Sequence, residues 1–426
     1  MDIDDFDTRL RGIPDGGVTS ARGFTAAGVH AGFRKNPERL DFALVAADRP
    51  VAAAGVFTKN RFCAAPVTVS RAQLGGVGYG RVRAIAVNSG NANAATGEEG
   101  IATARETCAI VSQVMGCEPG EVLVASTGVI GQLLDIAPFE RGVPMAAEAL
   151  SRKGGADAAR AIMTTDTHPK EYAVTYETAD EAYAGATFTV GGMCKGSGMI
   201  MPNMATMIAC LTTDAPVSPE VLHELLVGAV NRTFNKVTVD SDTSTNDTCL
   251  MLASGSAVAA EPDCEVPGIT PGTLAYEELE RAIGVVCETL ARAIAADGEG
   301  ASRLVTVHVA GAANDAEADL AARAVANSPL VKTAIAGHDC NWGRIAMALG
   351  KCGARFDQAD VAIDIMGLPV CRGGLTVPFD EDEALKRFEA PEIIIAADLG
   401  AGEGEATVWT CDLTHDYVSI NGDYRT

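Results

Sequence analysis

The chain has 426 residues, 47% of them hydrophobic and 21% charged, which excludes long disordered stretches and is enough for two or three domains. Its formal net charge of -23 argues against a nucleic-acid partner, because phosphate binding requires clustered Lys and Arg. The acidic first residues lack the basic segment of a signal peptide, and the longest apolar stretch, 198–211, is too short to cross a bilayer. We therefore expect a cytoplasmic protein with neither nucleic acid nor a membrane as partner.

Extended runs dominate the first part of the chain. The runs 41–47 and 51–58 flank the turn-forming triplet Asp48-Arg49-Pro50, a pattern that predicts a β-hairpin. The short run 67–70 after Pro66 and the run 82–88 predict two further strands. An Asn/Gly-rich loop then leads into a predicted helix over 98–115, and such a loop before a helix is able to bind an anion.

The run 122–131 predicts a further strand, which stops at Ser126-Thr127-Gly128. Backbone N–H groups in a Gly-containing loop are good donors to an oxyanion, whereas an ordinary strand-ending turn is the commoner use of such a sequence. Both interpretations of Thr127 and Gly128 stay open at this point.

The stretch from Lys195 to Cys210 contains two hydroxyls, Ser197 in a Gly-rich bend and Thr206 just before an apolar run. Thr206 is either a strand residue beside a Met-rich core patch or the nucleophile of a self-cleaving protein. In the second case its hydroxyl attacks the Ala205 carbonyl, and Thr206 becomes the first residue of a new chain. Its free α-amine, with a pKa of about 8, then serves as its own base.

The most polar stretch, 240–248, superficially resembles a calcium loop. Thr245 and Met251 stand where such a loop requires Gly and Glu, so no metal is expected there. The twelve cysteines and six histidines also lack metal-ligand spacing, and we expect no metal and no cofactor. A predicted helix over 277–296 then leads to Glu299, which is either exposed to solvent or directed at the amino group of a ligand.

Strands and helices alternate through the final third of the chain. The whole pattern favours an α/β fold in which helices pack outside two sheets.

Several segments, taken together and in this order, resemble the ornithine acetyltransferases, also called glutamate N-acetyltransferases, of arginine biosynthesis. The resemblance covers nearly the whole chain, although Ser241 stands where this family usually has Gly. The matching segments are Asn88-Ser89-Gly90-Asn91-Ala92-Asn93-Ala94, Ser126-Thr127-Gly128-Val129-Ile130-Gly131, Met163-Thr164-Thr165-Asp166-Thr167, Lys195-Gly196-Ser197-Gly198-Met199-Ile200, Asn203-Met204-Ala205-Thr206-Met207, Asp242-Thr243-Ser244-Thr245-Asn246-Asp247, Asp297-Gly298-Glu299-Gly300-Ala301, Asn341-Trp342-Gly343-Arg344 and Ile420-Asn421-Gly422-Asp423-Tyr424-Arg425-Thr426.

The resemblance implies that the chain cuts itself between Ala205 and Thr206, giving chains 1–205 and 206–426. Thr206 would carry the acetyl group as an ester, and Thr127 and Gly128 would stabilise the oxyanion. The fold it implies is a layered α-β-β-α core, with a smaller C-terminal α/β lobe formed largely by the second half of the 206–426 chain. The substrate-binding positions of the family fall on Thr164, Lys195, Thr206, Glu299, Asn421 and Thr426.

The implied reaction transfers acetyl from N-acetylornithine to glutamate, with acetyl-CoA as a possible second donor. The resemblance also implies a heterotetramer of two of each chain. Two alternatives remain: an N-terminal-nucleophile aminopeptidase or amidase that passes the acyl group to water, and a non-catalytic acidic binding protein.

Overall fold

A computed structural model describes residues 6–201, 207–258 and 267–423, and within them nine strands form one large sheet. Their order across the sheet is β1-β6-β7-β8-β9-β3-β4-β5, and β2 also pairs with β3. The strands are β1 (Arg11–Gly12), β2 (Phe24–Val29), β3 (Phe42–Phe57), β4 (Tyr79–Asn91), β5 (Val122–Val129), β6 (Lys170–Glu177), β7 (Thr187–Lys195), β8 (Ile208–Thr213) and β9 (Thr248–Ala253).

The long strand β3 joins the two halves of this sheet. Its first part pairs with β2, its last part pairs with β9, and β4 pairs with both parts across a register shift between Ala46 and Val51. The predicted hairpin is therefore wrong. Pro50 has no N–H to donate, and at the register shift none is required, so the triplet is accommodated as an irregularity inside one strand.

Helices cover both outer faces of the sheet. α1 (Ala65–Gln73), α2 (Gly97–Met115) and α3 (Ala137–Ala149) pack on one half, and α5 (Pro219–Arg232) and α6 (Leu274–Ala296) pack on the other. The short helix α4 (Gly155–Ala161) packs against β2. The predicted strand at 67–70 is part of α1, since Pro66 lies in the first helical turn and tertiary packing overrides the β propensity of the valines.

A buried apolar cluster fills the space between the two sheet halves. It contains Val45 and Ile85 from one half, and Met193, Cys210 and Leu252 from the other. Alternate residues of the same strands, such as Leu211 and Met251, point instead toward α5 and α6. The layers are therefore helix, sheet, sheet and helix, which confirms the α-β-β-α prediction.

The C-terminal part forms a second, smaller α/β lobe with its own core, as predicted. Its sheet has the order β13-β12-β11-β14-β10-β15. The strands are β10 (Leu304–Ala312), β11 (Ala362–Ile365), β12 (Leu368–Arg372), β13 (Leu375–Thr376), β14 (Glu392–Asp398) and β15 (Gly404–Cys411), and the helices are α7 (Asp315–Ala326), α8 (Pro329–Ala336), α9 (Trp342–Gly350) and α10 (Glu381–Arg387). After β15, helix α11 (His415–Asp423) returns the chain toward the larger sheet.

Across the described ranges, none of the helices combines the length and the apolar character that crossing a membrane requires.

Glu171 on β6 makes the stability of this fold depend on pH. Burial raises the pKa of its carboxyl from 4.5 to about 7, with Arg160 opposing the shift. The folded state therefore favours the protonated Glu171 carboxyl. The stability that this carboxyl contributes is present at low pH and is lost as pH rises through about 7. Glutamine cannot ionise, so the free energy of unfolding of Glu171→Gln should not show this loss. We expect the difference between variant and wild type to grow by about 1–2 kcal/mol in favour of the variant from about pH 5 to about pH 8, after allowance for partial exposure. Urea denaturation at the two pH values measures this gain, and the exposed Glu177→Gln is the control; an equal difference at both pH values would contradict the prediction.

Candidate active site

One cleft brings together the predicted site residues that the structure describes. Its lining includes Thr127, Gly128, Thr164, Lys195, Glu299 and Asn421, which lie far apart in the sequence. Three further predicted residues, Ala205, Thr206 and Thr426, lie outside the described residues.

The described chain resumes at the wall of this cleft. Met207 is buried and lines the cleft, and the next residue, Ile208, pairs with Lys195 across β7 and β8. Thr206 is thus adjacent in sequence to a cleft-lining residue, which is compatible with its predicted role as nucleophile.

Thr127 and Gly128 lie at the end of β5, where β4 beside it has an irregular register around Gly90 and Asn91. Gly128 has φ +134°, and a Cβ placed there would lie 2.3 Å from the carbonyl carbon of Gly90. Only glycine fits this approach of two backbones. The sequence Ser-Thr-Gly therefore ends the strand with a conformation that other residues cannot adopt.

Asn246 ties the polar stretch 240–248 to this strand end. Its buried side-chain amide donates to the carbonyl oxygens of Ala92 at 2.6 Å and Ser126 at 2.8 Å. The Ser126 hydroxyl in turn donates to Asn88 Oδ1 at 2.6 Å. The Thr127-Gly128 backbone is thus supported from two sides by buried amides.

A buried lysine between two aspartates lies behind the cleft. Lys170 Nζ donates to Asp166 Oδ1 at 2.8 Å and to Asp297 Oδ2 at 2.5 Å, and all three side chains are almost fully buried. Burial disfavours the charged form of Asp166, but the positive charges of Lys195 and Lys170 outweigh it and hold the pKa of Asp166 well below its usual range. Burial likewise opposes the charge of Lys170, yet Asp166 and Asp297 raise its pKa above the ordinary value. Lys170 and Asp166 are therefore held as a buried ion pair, and Asp297 is the second carboxyl group in contact with Lys170.

Asp166 connects two of the segments that line the cleft. Its Oδ1 accepts from the backbone N–H of Gly196 at 2.7 Å, and its Oδ2 accepts from the backbone N–H of Thr164 at 2.9 Å. The positions of Thr164 and of Lys195, which precedes Gly196, are fixed by the same carboxylate.

Asp297 connects the third segment. Its carbonyl oxygen accepts from the Ser197 hydroxyl at 2.7 Å, and the Ser197 carbonyl accepts from the backbone N–H of Glu299 at 3.0 Å. Ser197, one of the two hydroxyls that the sequence singled out, is buried and holds the Glu299 turn against the Lys195 bend.

Lys195 and Glu299 present opposite charges to the same cleft. Lys195 Nζ lies 3.5 Å from Thr127 Oγ1. Burial lowers the pKa of Lys195, and the charge of Asp166 opposes this shift. Glu299 is 9% exposed, and its Oε2 accepts from Asn421 Nδ2 of α11 at 2.7 Å. The cleft thus offers a cation and a carboxylate to a ligand that carries both charges, as an amino acid does.

Sequence reasoning missed Asp166, Lys170 and Asp297 as parts of the site. The available signal was the four-residue spacing of Asp166 and Lys170 across the polar turn that leads into β6. Their burial and their contact with Asp297 depend on long-range folding. In the parts of the chain that the structure covers, no three His, Cys, Asp or Glu side chains gather as metal ligands would.

Removal of the Lys170 charge leaves two buried carboxylates without their cation. We expect Lys170→Met to reduce the free energy of unfolding by about 3–5 kcal/mol, the usual cost of breaking a buried pair. Urea denaturation measures the loss, and Lys153→Met at an exposed position is the matched control, with a change within about 0.5 kcal/mol. A loss below about 1 kcal/mol for Lys170→Met would mean that the lysine does not stabilise the site.

Comparison with known proteins identifies relatives along nearly the whole chain. The model of the ArgJ family matches residues 25–426. The arginine biosynthesis bifunctional protein ArgJ of Symbiobacterium thermophilum is 49% identical over 412 residues, which cover 96% of this chain and 99% of that protein. The protein of the same name from Thermosynechococcus vestitus is 44% identical over 426 residues, covering 96% of this chain and 98% of that protein.

Two crystal structures match part of the chain at similar identity. The arginine biosynthesis bifunctional protein argJ of Bacillus halodurans is 41% identical, covers 50% of this chain and 97% of its own, and has a TM-score of 0.47. The ornithine acetyltransferase of Mycobacterium tuberculosis, in complex with ornithine, is 40% identical, covers 46% of this chain and 100% of its own, and has a TM-score of 0.41. The family model and the identity to full-length relatives establish that this chain belongs to the ArgJ family.

Proposed function

We propose that this chain is an acetyltransferase of arginine biosynthesis that moves the acetyl group of N-acetylornithine to glutamate through an ester on Thr206. The observation that carries the proposal is the cleft beside β8, in which six residues of the family pattern converge. Relatives of nearly equal length are named for arginine biosynthesis, which supports the same pathway.

Self-cleavage prepares the nucleophile. The Thr206 hydroxyl attacks the Ala205 carbonyl carbon, the peptide C–N bond breaks, and the released nitrogen takes the hydroxyl proton. Water then hydrolyses the ester, which leaves a carboxylate on Ala205 and a free hydroxyl and α-amine on Thr206. The products are chains 1–205 and 206–426.

Acetyl transfer follows in two half-reactions. The Thr206 hydroxyl attacks the acetyl carbonyl carbon while the α-amine takes its proton, and that proton passes to ornithine as the amide C–N bond breaks. The neutral amine of glutamate then attacks the ester carbonyl carbon, and the C–O bond to Thr206 breaks. The proton lost by that amine passes through the Thr206 α-amine to the Thr206 oxygen, which restores the hydroxyl as N-acetylglutamate leaves. Transfer in place of hydrolysis requires that the closed cleft keeps water from the ester.

The charges of the cleft select the substrates. We assign Lys195 to a carboxylate of the substrate and Glu299 to an ammonium group, because opposite charges pair in a site of low exposure. Asn421 orients the Glu299 carboxylate, while Thr164 and Thr426 complete the substrate-binding set. A ligand with only one of the two charged groups would leave either Lys195 or Glu299 without an opposite charge from the substrate.

Acetyl-CoA is a second acetyl donor in this proposal, and the word bifunctional in the names of the relatives supports it. The working enzyme is a heterotetramer of two copies of each chain. No cofactor takes part, since the threonine itself carries the acyl group.

Incubation with N-acetylornithine, with and without glutamate, tests the reaction. We expect ornithine release to depend on glutamate, because the acetyl ester stays on the enzyme until an amine accepts it. Steady ornithine release without glutamate would identify a hydrolase instead.

Thr206→Ala tests the nucleophile. We expect this variant to remain a single uncut chain on a denaturing gel and to transfer no acetyl group, since alanine has no hydroxyl. Thr206→Ser is the control, which keeps a hydroxyl and should still be cut. Acetyl transfer by Thr206→Ala would show that another residue is the nucleophile.

Thr127 and Gly128 are assigned as the oxyanion donors. We expect Gly128→Ala to lower kcat by about 10²–10³, because an added Cβ displaces the strand end from Gly90. Gly131→Ala is the matched control: Gly131 also has a positive φ, but a Cβ there meets nothing within 4 Å. Equal kcat values for the two variants in a transfer assay would contradict the assignment.

A further inference from the structure

Asp240 holds the chain on the N-terminal side of the segment that contains the proposed cleavage bond. Its Oδ2 accepts from the backbone N–H of Met199 at 2.6 Å, and its Oδ1 accepts from the backbone N–H of Ile200 at 2.8 Å. Both oxygens of one carboxylate are thus committed to consecutive backbone groups, six and five residues before Ala205.

The backbone that Asp240 holds is in an unfavourable conformation. Met199 has φ +55°, a left-handed value that a residue other than glycine adopts at a cost of about 1–3 kcal/mol. The two short hydrogen bonds to a carboxylate offset that cost. Ser241, next to Asp240, has φ +70°, a second left-handed value that only glycine adopts without cost.

Thr243 holds the next residues of the same segment. Its hydroxyl donates to the Met201 carbonyl oxygen at 2.8 Å, and Thr243 forms an isolated β-bridge with Ile200. Asn60 Nδ2 in turn donates to the Thr243 carbonyl at 2.8 Å. The described chain is therefore anchored up to Met201.

The loop that carries Asp240 is itself fixed to the C-terminal lobe. The buried Lys332 of α8 donates to the Val239 carbonyl at 2.8 Å and to Thr410 Oγ1 of β15 at 2.8 Å. The backbone N–H of Val239 donates to the Ile200 carbonyl at 2.6 Å. The loop that carries Asp240 is thus hydrogen-bonded to both lobes.

The C-terminal side of the segment is anchored as well. The Met207 carbonyl accepts from the backbone N–H of Thr248 at 2.9 Å, and Ile208 is paired on both sides, with Lys195 and with Thr248. Only residues 202–206 lie between the two anchored ends.

We propose that Asp240 and Thr243 are positioning residues for self-cleavage, which hold the backbone before Ala205 so that the Thr206 hydroxyl meets the Ala205 carbonyl. The inference rests on the proposed self-cleavage, and neither residue touches the reacting atoms in this assignment. Because both flanks are fixed, less conformational entropy is lost when the reacting groups are brought together. Small displacements of these groups also lower the reaction rate by large factors.

The test follows precursor conversion after synthesis of the full chain in a reconstituted translation system. Denaturing gels over time give the rate at which the 426-residue band becomes chains of 205 and 221 residues (426 minus 205). We expect Asp240→Asn to slow conversion by at least about tenfold, since an amide has one acceptor and places its N–H₂ against a backbone N–H. Asp242→Asn, the same change at an exposed position two residues away, should convert at the wild-type rate.

Thr243 gives an independent second variant. Thr243→Val removes the hydroxyl at nearly constant shape and should also slow conversion, whereas Thr243→Ser keeps the donor to Met201 and should restore it. Melting temperatures of the same variants in the uncut Thr206→Ala background separate positioning from folding, and conversion is measured at a temperature where every background is folded.

The outcomes separate this inference from the proposed function. Wild-type rates for both Asp240→Asn and Thr243→Val, with a wild-type chain that is cut, would overturn the positioning role and leave the proposed function intact. The positioning role would also be overturned if the conversion rates simply followed the melting temperatures of the variants, or if Thr243→Ser converted no faster than Thr243→Val. A wild-type chain that stays uncut would instead remove the self-cleavage on which the inference rests.

Discussion

The arrangement of the cleft depends on one buried cation between two buried carboxylates. Lys170 is fully enclosed, so its charge requires Asp166 and Asp297 within hydrogen-bond distance. Those two aspartates come from separate loops. Asp166 also accepts from the backbone N–H groups of Thr164 and Gly196, and the Asp297 carbonyl oxygen accepts from the Ser197 hydroxyl. The electrostatic requirement of one lysine therefore fixes the relative positions of Thr164, Lys195 and Glu299. Lys195, a second buried cation, shares the field of Asp166 and is held where its charge faces the cleft.

The fold places these loops at one end of the two-layered sheet. Lys195 lies at the end of β7, and the described region 207–258 begins just before β8. Thr127 and Gly128 lie at the end of β5, in the other half of the sheet. The long strand β3 connects both halves, so Thr127 and Gly128 reach the cleft from one half of the sheet and Lys195 reaches it from the other. The C-terminal lobe contributes through α11, which brings Asn421 to Glu299, and through Lys332, which supports the loop of Asp240. A site assembled from so many segments needs the buried polar contacts that connect them.

Sequence reasoning predicted the features that local patterns determine. The Ser-Thr-Gly strand end, the Gly-flanked Glu299 and the Lys195 bend were all found from residue type and spacing, and the alternating pattern gave the α/β class. The smaller C-terminal lobe was implied by the resemblance. The assignment of chemistry to these residues also depends on the resemblance, because their spacing is equally compatible with an ordinary strand-ending turn or an exposed side chain.

Other features could not be read from local sequence. Lys170 and Asp297 are 127 residues apart, and nothing in either segment indicates that the other lies beside it. The triplet Asp48-Arg49-Pro50 has the composition of a turn, but pairing of β4 on both sides of it keeps β3 extended. Asp240 begins a polar stretch that resembles a calcium loop, whereas in the structure its oxygens accept hydrogen bonds from the backbone of Met199 and Ile200.

The central claim is that Thr206 carries the acetyl group between donor and acceptor. Intact mass measurement of the 206–426 chain, after incubation with N-acetylornithine and acid quench, tests it most directly. The account predicts a gain of one acetyl group, mapped by fragmentation to Thr206, which disappears when glutamate is added and reappears as N-acetylglutamate. An unmodified chain under conditions where ornithine is being released, or an acetyl group on any other residue, would contradict it.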